Sequence, residues 1–392
     1  MIIFLPMNNF SQYYADLILN QMIKLKVGEK LSINCTKETA PFAHLLAKEA
    51  AALSQVSSLV LNIENGKVDS VDQFDPEGFA AVKEKGVAMV HLSSFSCPEY
   101  SQGLELTAPV LQQFSLLSEP IELERRISVP WANIYVPTQR WANFVLGEDA
   151  NEDQMWLLLA DLLSLDDDYN SLFNTQHALL LQRCKKLQSL KLKKLLIECG
   201  DSHLECEIAK DTLFSSSASV VQGNRAFFPT LPCEDVVALI DKKSANGTIY
   251  TTKPFKLFDT IIPKASFTIN NGIVESFDAG EYNALLNRYF NFDKDARKVG
   301  QIILCDELTR ANANEYALGI PAMDRMRTTC ITFGGVDIAS LHFKTLEEVE
   351  ERNINTGFIH LDVPIGSEEL QIIGITEDGK KVQLVEDGLF QD

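Results

Sequence analysis

Residues 30–63 read KLSINCTKETAPFAHLLAKEAAALSQVSSLVLNI, and this stretch decides the fold that the sequence predicts. Its two ends, KLSINC at 30–35 and VSSLVLNI at 56–63, are short and carry the aliphatic and β-branched residues typical of strands. Residues 40–54 between them are rich in alanine and leucine, and Thr39 is available to cap them, which favours a helix. A strand, a helix and a second strand in succession predict a parallel sheet covered by helices.

The alternation of helix and strand patterns continues outward from this stretch. Residues 10–24 place apolar side chains at helical spacing. FDPEGFAAVKEKG at 74–86 predicts a short helix, with a proline near its start and a glycine at its end. VAMVHLSS at 87–94 predicts the next strand, and 151–194 is helical and predicted to join two halves of the chain.

The pattern changes after about residue 195, where short strands are separated by glycine, asparagine and aspartate turns. ITEDGKKVQL at 375–384 carries an Asp-Gly hairpin signal, and one helix at 281–296 interrupts the strands. The sequence therefore predicts an α/β N-terminal domain with a parallel sheet over 1–190. A β-dominated α+β domain that carries the functional site is predicted over 191–392.

Composition limits the possible partners of this chain of 392 residues. A net charge of −19 opposes binding to nucleic acid or to an anionic membrane surface, since both need a basic footprint. No basic leader precedes an apolar segment at the N-terminus, and no stretch approaches the roughly 20 apolar residues that span a bilayer. The eight cysteines form no CxxC pair, which predicts reduced thiols in a cytoplasmic protein.

The common catalytic motifs are absent from the sequence: there is no Gly-rich phosphate loop, no Gly-x-Ser-x-Gly elbow and no His-Glu-x-x-His. Four short segments in the second half carry the remaining candidates: LPCEDVV at 231–237 with Glu234 and Asp235, VGQIIL at 299–304 with Gln301, TTCITFGG at 328–335 with Cys330, and IHLDVPIG at 359–366 with His360 and Asp362.

Each segment alone also has an ordinary structural interpretation. Adjacent acids after a proline are typical of a helix start, and a lone cysteine in a β-run is typical of a core. If 359–366 is a strand, alternation places His360 and Asp362 on the same face, as a metal-ligand pair or as a solvated edge.

Taken together, in order and spacing, the four segments resemble the thermophilic metallo-aminopeptidase family, the group of aminopeptidases T and S. LPCEDV resembles the family's Pro-Thr-Glu-Glu-Val, VGQIIL its Leu-Gly-Glu, TTCITFGG its His-containing strand that ends in glycine, and HLDVPIG its His-x-Asp segment. The likeness covers almost the whole chain. YADLILNQMIKLKVGEKLSIN at 14–34 is similar to the opening helix and strand, and PWANIYVPTQRWANFVLG at 130–147 to the Pro-Trp and Trp-Ala landmarks.

The resemblance implies a two-metal site, a peptide substrate and a homodimer. It carries Glu234, His360 and Asp362 over as metal ligands. It places Asp235 at the family's second glutamate, as a catalytic base or a group supporting a ligand. The cofactor implied is a divalent metal, namely zinc, cobalt or manganese.

Departures from the family pattern fall on the site itself. The glutamate of the second motif is Gln301 here, the histidine of the third is Cys330, and a tyrosine expected further along aligns loosely with Asp337. A co-catalytic metal pair needs anionic oxygens, so the second ion should suffer most from Gln301. Cys330 as a thiolate could complete a tetrahedral zinc site with Glu234, His360 and Asp362, or it could be packed in the core.

These departures leave three functions open. The chain is a metallo-aminopeptidase with an altered site, an inactive homologue that binds peptides or proteins, or a mononuclear metalloenzyme. The family fold is also similar to that of ring-cleaving dioxygenases with one iron on two histidines and an aspartate. Only His360 is visible here as such a ligand, since nothing places His342 in the site. A nucleophilic Cys330–His360 pair is a further hypothesis.

Overall fold

The structure is a computed structural model of the chain. It describes residues 8–64, 67–70, 87–95, 129–166, 168–216, 218–221, 225–258, 260–314, 316–336, 349, 351–357 and 359–391. The chain forms two compact units, Met1–Asn174 with Ala218–Pro232, and Thr175–Ser217 with Cys233–Asp392. The division falls inside the long helix Tyr169–Ser189, within the segment that the sequence predicts to join two halves. The domain bounds 1–190 and 191–392 stay a prediction.

A five-stranded sheet with the order β3-β2-β1-β4-β5 organises the first unit. Strand β1 pairs in parallel with β2 and β4, and β4 pairs in parallel with β5, whereas β3 is an antiparallel neighbour of β2. The predicted parallel sheet is thus confirmed for this unit. Its strands are β1 Leu31–Cys35, β2 Leu59–Glu64, β3 Lys67–Ser70, β4 Ala88–Ser93 and β5 Trp131–Tyr135. Two short strands lie in Ala218–Pro232, the later segment of the first unit. They are β9 Ser219–Val221 and β10 Arg225–Phe227, and they pair antiparallel.

The helices of the first unit follow their sequence signals closely. The helix Ala40–Ser54 has the predicted bounds, but the Thr39 hydroxyl donates to the Leu92 carbonyl at 3.2 Å instead of capping the helix. The segment predicted as a helix over 10–24 is an α-helix that continues as the π-helix Leu17–Met22. The helix predicted over 74–86 lies outside the described residues. The α-helices are α1 Asn8–Asp16, α2 Ala40–Ser54, α3 Gln139–Leu146 and α4 Glu152–Leu163, followed by α5 Tyr169–Ser189, which begins in the first unit and ends in the second.

An eight-stranded antiparallel sheet with the order β16-β15-β12-β7-β6-β20-β21-β22 forms one layer of the second unit. The Asp-Gly hairpin is confirmed, since β20 and β21 pair antiparallel and Gly379 adopts a φ of +82° between them. The strands are β6 Leu192–Cys199, β7 Ser202–Glu207, β12 Asn246–Tyr250, β15 Ser266–Asn270, β16 Ile273–Asp278, β20 Gln371–Thr376, β21 Lys381–Glu386 and β22 Leu389–Phe390.

The second sheet of this unit has five strands in the order β19-β18-β17-β11-β8, and all the pairs are antiparallel. Its strands are β8 Ser215–Ser216, β11 Asp235–Leu239, β17 Val299–Cys305, β18 Cys330–Gly334 and β19 His360–Pro364; β13 Phe255–Leu257 pairs with β14 Thr260–Ile262 separately. All residues of β17 and β18 are buried, so these strands form the centre of the core.

Short helices complete the second unit. The helix predicted over 281–296 is shorter and follows a 3₁₀ turn at Gly280–Tyr282. The α-helices are α6 Asn283–Phe292, α7 Arg310–Ala313 and α8 Pro321–Asp324, and the 3₁₀ turn Arg325–Arg327 leads from α8 toward β18. The fold is therefore mixed α/β, with one largely parallel sheet and several antiparallel sheets. Among the residues that the structure describes, no helix is long and apolar enough to cross a membrane.

Candidate active site

The candidate positions lie on the five-stranded sheet of the second unit, and its register shows which of them share a face. Gln301 is opposite Thr332, and Thr332 is opposite Asp362, so these three side chains form one row. Cys330 is opposite Ile303 and Pro364 in the next row. Because residues two apart in a strand point the same way, Gln301, Cys330 and Asp362 project from the same face.

The His-x-Asp segment forms β19, and both of its polar side chains belong to this face. His360 is exposed and opposite Gly334 at one end of the strand. Asp362 is half-buried, and its Oδ1 accepts a hydrogen bond of 2.6 Å from the Thr332 hydroxyl. His360 and Asp362 therefore border solvent, whereas Gln301 and Thr332 beside them are buried.

The register separates Cys330 from His360. On β18 the thiol belongs to the row of Pro364, whereas His360 faces Gly334 at the far end of the strand. At about 3.4 Å per residue, the two rows, four residues apart, lie about 14 Å apart along the strand. The hypothesis of a hydrogen-bonded Cys330–His360 nucleophile is wrong for this arrangement.

Glu234 immediately precedes β11, and its carboxylate is directed to helices of the same unit. Oε1 accepts from the Gln176 side-chain amide at 2.7 Å, and the backbone N–H groups of Arg310 and Ala311 lie 3.4 Å from the two oxygens. Burial raises the pKa of Glu234, and these hydrogen bonds only partly oppose that rise. Both carboxylate oxygens therefore have protein donors.

Asp235 is the first residue of β11 and is opposite Cys305. Cys305 is two residues from Ile303, which is opposite Cys330. The Asp235 side chain therefore projects from the same face as Cys330. Its side chain is fully buried and forms an ion pair of 3.1 Å with Arg325 Nη2. On the same strand, the position beside Gln301 is the apolar Leu239. The acids after Pro232 thus begin a strand, and they do not begin a helix.

Arg325 is the functional candidate that sequence reasoning missed. It is the first residue of the 3₁₀ turn that leads toward Cys330, and the only local signal was an arginine five residues before a candidate cysteine. Burial would lower its pKa, but the carboxylates of Asp235 and Asp362 outweigh burial and raise it. The guanidinium is therefore a permanent positive charge near this face.

The Cys330 side chain is a neutral thiol in the core. It is 1% exposed, and its Sγ lies 3.3 Å from the Thr328 carbonyl and 3.5 Å from the Arg325 carbonyl. Burial raises its pKa well above that of a free thiol, and Asp362 adds to the effect. A packed thiol of this kind matches the ordinary interpretation of a cysteine in a β-run.

These donors do not fit a two-metal centre. Within the described part of the chain, no three histidine, cysteine, aspartate or glutamate side chains converge as a metal-binding group. Gln301 is a buried neutral amide, Asp235 is paired with Arg325, and the oxygens of Glu234 have other donors. Asp337 and His342 lie outside the described residues. The ligand roles proposed for Glu234, Gln301, Cys330, His360 and Asp362, and the catalytic role of Asp235, stay predictions.

Asp324 precedes Arg325 and fixes the loop before it, since its two oxygens accept from the backbone N–H groups of Leu318 and Gly319 at 2.8 Å. Burial raises the pKa of Asp324 to about 6. A carboxyl group with a raised pKa in the folded state contributes its full stability below the unfolded value of 3.8 and loses it as the pH rises through about 6.

We therefore expect the stability of the wild type relative to Asp324→Asn to fall by about 1–2 kcal/mol between pH 5 and pH 7. Asparagine occupies the same space and does not titrate, so other titrating groups cancel in this difference. Urea unfolding of both proteins at the two pH values measures it. An unchanged difference between the two pH values would contradict the raised pKa.

Comparisons with known proteins agree with the resemblance in the motifs. Residues 8–390 match the model of the family described as thermophilic metalloprotease (M29). Aminopeptidase 2 of Geobacillus stearothermophilus is 22% identical, with 96% of each chain covered. Aminopeptidase T of Thermus thermophilus is also 22% identical, covering 95% of this chain and 96% of the relative.

A solved structure shows the same fold. The wild-type AmpT of Thermus thermophilus superposes with a TM-score of 0.84 at 20% identity, covering 98% of this chain and 99% of that one. The family match spans nearly all of the chain, and the relatives are aminopeptidases whose family description implies a divalent metal. This chain therefore belongs to the thermophilic metalloprotease family M29.

Proposed function

We propose that this chain binds peptides on the aminopeptidase scaffold and has lost two-metal hydrolysis of their N-terminal bond. The family and the named activities of its relatives support a peptidase-type function and a peptide ligand. The observation that carries the loss of hydrolysis is the shortage of anionic oxygen donors on the sheet face. Gln301 is neutral, and Asp235 is neutralised by Arg325.

A metal pair needs these anionic oxygens for a physical reason. Two divalent ions close together repel each other, and bridging carboxylates offset that repulsion. Within the described residues of this face, Asp362 is the carboxylate that no arginine or lysine pairs with at ion-pair distance, and it accepts from Thr332. One carboxylate cannot bridge and balance two dications, so the second ion has no counter-charge.

A weakened, metal-dependent aminopeptidase with one ion is the second candidate. The observation that favours it is the position of His360 and Asp362 on one strand face, at an exposed end. An imidazole and a carboxylate are suitable ligands for zinc, cobalt or manganese. In this case His360 and Asp362 would hold the ion, and the ion would supply an activated water.

A hydrolysis assay with a binding assay separates the two candidates. We expect release of the N-terminal residue to be at least about 10³-fold slower than by aminopeptidase T of Thermus thermophilus, because two ligand positions have changed and a single supporting change already costs 10–100-fold. The assay uses short peptides with zinc, cobalt and manganese in turn. Fluorescence anisotropy of labelled peptides, in the presence of a chelator, measures binding.

Each outcome assigns a function. Peptide binding without turnover supports the proposal. Turnover that needs metal and is lost in His360→Ala supports the one-ion aminopeptidase, and His203→Ala is the matched control, since His203 is exposed on β7 of the other sheet. Absence of both binding and turnover would overturn the peptide ligand as well.

A further inference from the structure

Arg325 is attached to the candidate site at both of its ends. Its guanidinium Nη2 lies 3.1 Å from Asp235 Oδ2, where the aspartate side chain is fully buried and the arginine side chain is 20% exposed. Its carbonyl oxygen lies 3.6 Å from Cys305 Sγ and 3.5 Å from Cys330 Sγ. The backbone and the charged group of Arg325 are therefore both held against this face.

The Arg325 guanidinium acts on two carboxylates, Asp235 at ion-pair distance and Asp362 beyond it. Asp235 and the guanidinium neutralise each other, and the thiols of Cys305 and Cys330 are kept neutral by burial, which raises the pKa of each. Gln301 carries no charge. A face that held divalent ions would need several anions here, whereas one fixed monocation needs a single carboxylate.

We infer that the Arg325 guanidinium replaces divalent metal as the resident cation of this face and excludes a metal ion from Asp235. The replacement accounts for the two departures from the family motifs together. Once the cation is a guanidinium, a glutamate at position 301 would be an uncompensated buried charge, and an imidazole at 330 would have no ion to coordinate. Gln301 and Cys330 are neutral residues that this arrangement accepts.

The inference goes beyond the proposed function and rests on it only in locating the site on this sheet face. It concerns which cation the face holds, so thermal unfolding and metal content can test it without any peptide. A chain that neither hydrolyses peptides nor responds to metal as described below would retain the proposed function and lose this inference.

The experiment compares wild type with Arg325→Met, with Arg325→Met/Asp235→Asn, and with Arg288→Met as a matched control at an exposed arginine of α6. Removing the guanidinium takes the ion pair at 3.1 Å away from the fully buried carboxylate of Asp235, so we expect the melting temperature to fall by about 10 °C. Zinc, cobalt or manganese should restore part of that loss by taking the place of the guanidinium. The double variant should melt near the wild type and not respond to metal.

The wild type provides the direct test. We expect less than one ion per chain by elemental mass spectrometry after dialysis against each metal, and no shift of its melting temperature. A stoichiometric ion with a raised melting temperature in the wild type would overturn the inference, and so would an Arg325→Met variant that metal does not stabilise. If Arg325→Met does not fold alone, refolding it with and without the ion gives the same decision, because recovery only with metal supports the inference and no recovery contradicts it.

Discussion

Gly334→Ala is expected to destabilise the second unit by about 3–5 kcal/mol, because this glycine ends β18 in a conformation and a space that no side chain can share. Its φ is +98°, and an added Cβ would lie 2.1 Å from the Ile359 carbonyl oxygen and 2.9 Å from the Tyr289 hydroxyl. The Ile359 carbonyl belongs to the backbone that leads directly into His360. Relief of the clash must therefore displace the start of β19.

Gly379→Ala is the matched control for this prediction. Gly379 also has a positive φ, +82°, but an added Cβ there would meet nothing within 4 Å. Its substitution should cost only the conformational penalty, about 1 kcal/mol. Urea unfolding followed by circular dichroism measures both variants, and equal losses at the two glycines would contradict the steric account.

The consequence of Gly334→Ala extends to the candidate site. Tyr289 donates to the Phe333 carbonyl at 2.7 Å, so the hydroxyl that the new Cβ would approach is itself fixed by β18. Because Tyr289 is constrained, the movement falls on Ile359 and on the strand β19 that follows it, where Asp362 accepts from Thr332. Gly334 at the end of the buried strand β18 thus maintains the register on which the row of Gln301, Thr332 and Asp362 depends.

Local signals made the elements predictable from sequence. The helix Ala40–Ser54 is predictable at its full length because composition and helical periodicity agree over the whole segment. The hairpin at Gly379 was predictable because its turn needs a residue that tolerates a positive φ. Alternation alone placed His360 and Asp362 on one face, since they belong to one strand.

The arrangement of the candidate site depends on contacts between distant segments, and sequence periodicity does not contain them. Whether Glu234 or Asp235 belongs to the sheet face follows from the pairing of Asp235 with Cys305, 70 residues later. The approach of Arg325 to Asp235 follows from the path of the 3₁₀ turn after α8. An arginine before a strand is common in sequences, so only the folded chain distinguishes this one.

The triple variant Arg325→Met/Gln301→Glu/Cys330→His is expected to bind a divalent ion at least about 100-fold more tightly than the wild type. It removes the fixed positive charge and adds a carboxylate and an imidazole at the two positions that depart from the family. Cys330 is the diagonal neighbour of both Gln301 and Asp362 in the ladder. Diagonal neighbours in such a ladder lie about 7–8 Å apart, with their Cβ atoms somewhat closer, a span that a glutamate, a histidine and an aspartate can close around one ion.

The variant Gln301→Glu/Cys330→His keeps Arg325. It distinguishes the effect of the new ligands on metal affinity from the effect of the Arg325 charge. If the guanidinium repels a dication from this face, the double variant should bind metal far more weakly than the triple one, although both carry the same new ligands. A histidine at a fully packed position costs about 1–3 kcal/mol of stability in both variants, so their comparison is not affected by that strain. Competition with a chromogenic chelator measures the affinities. Equal affinities would show that the missing ligands alone prevent metal binding, whereas a large gap would show that Arg325 would have to change before the metal site of the family could return.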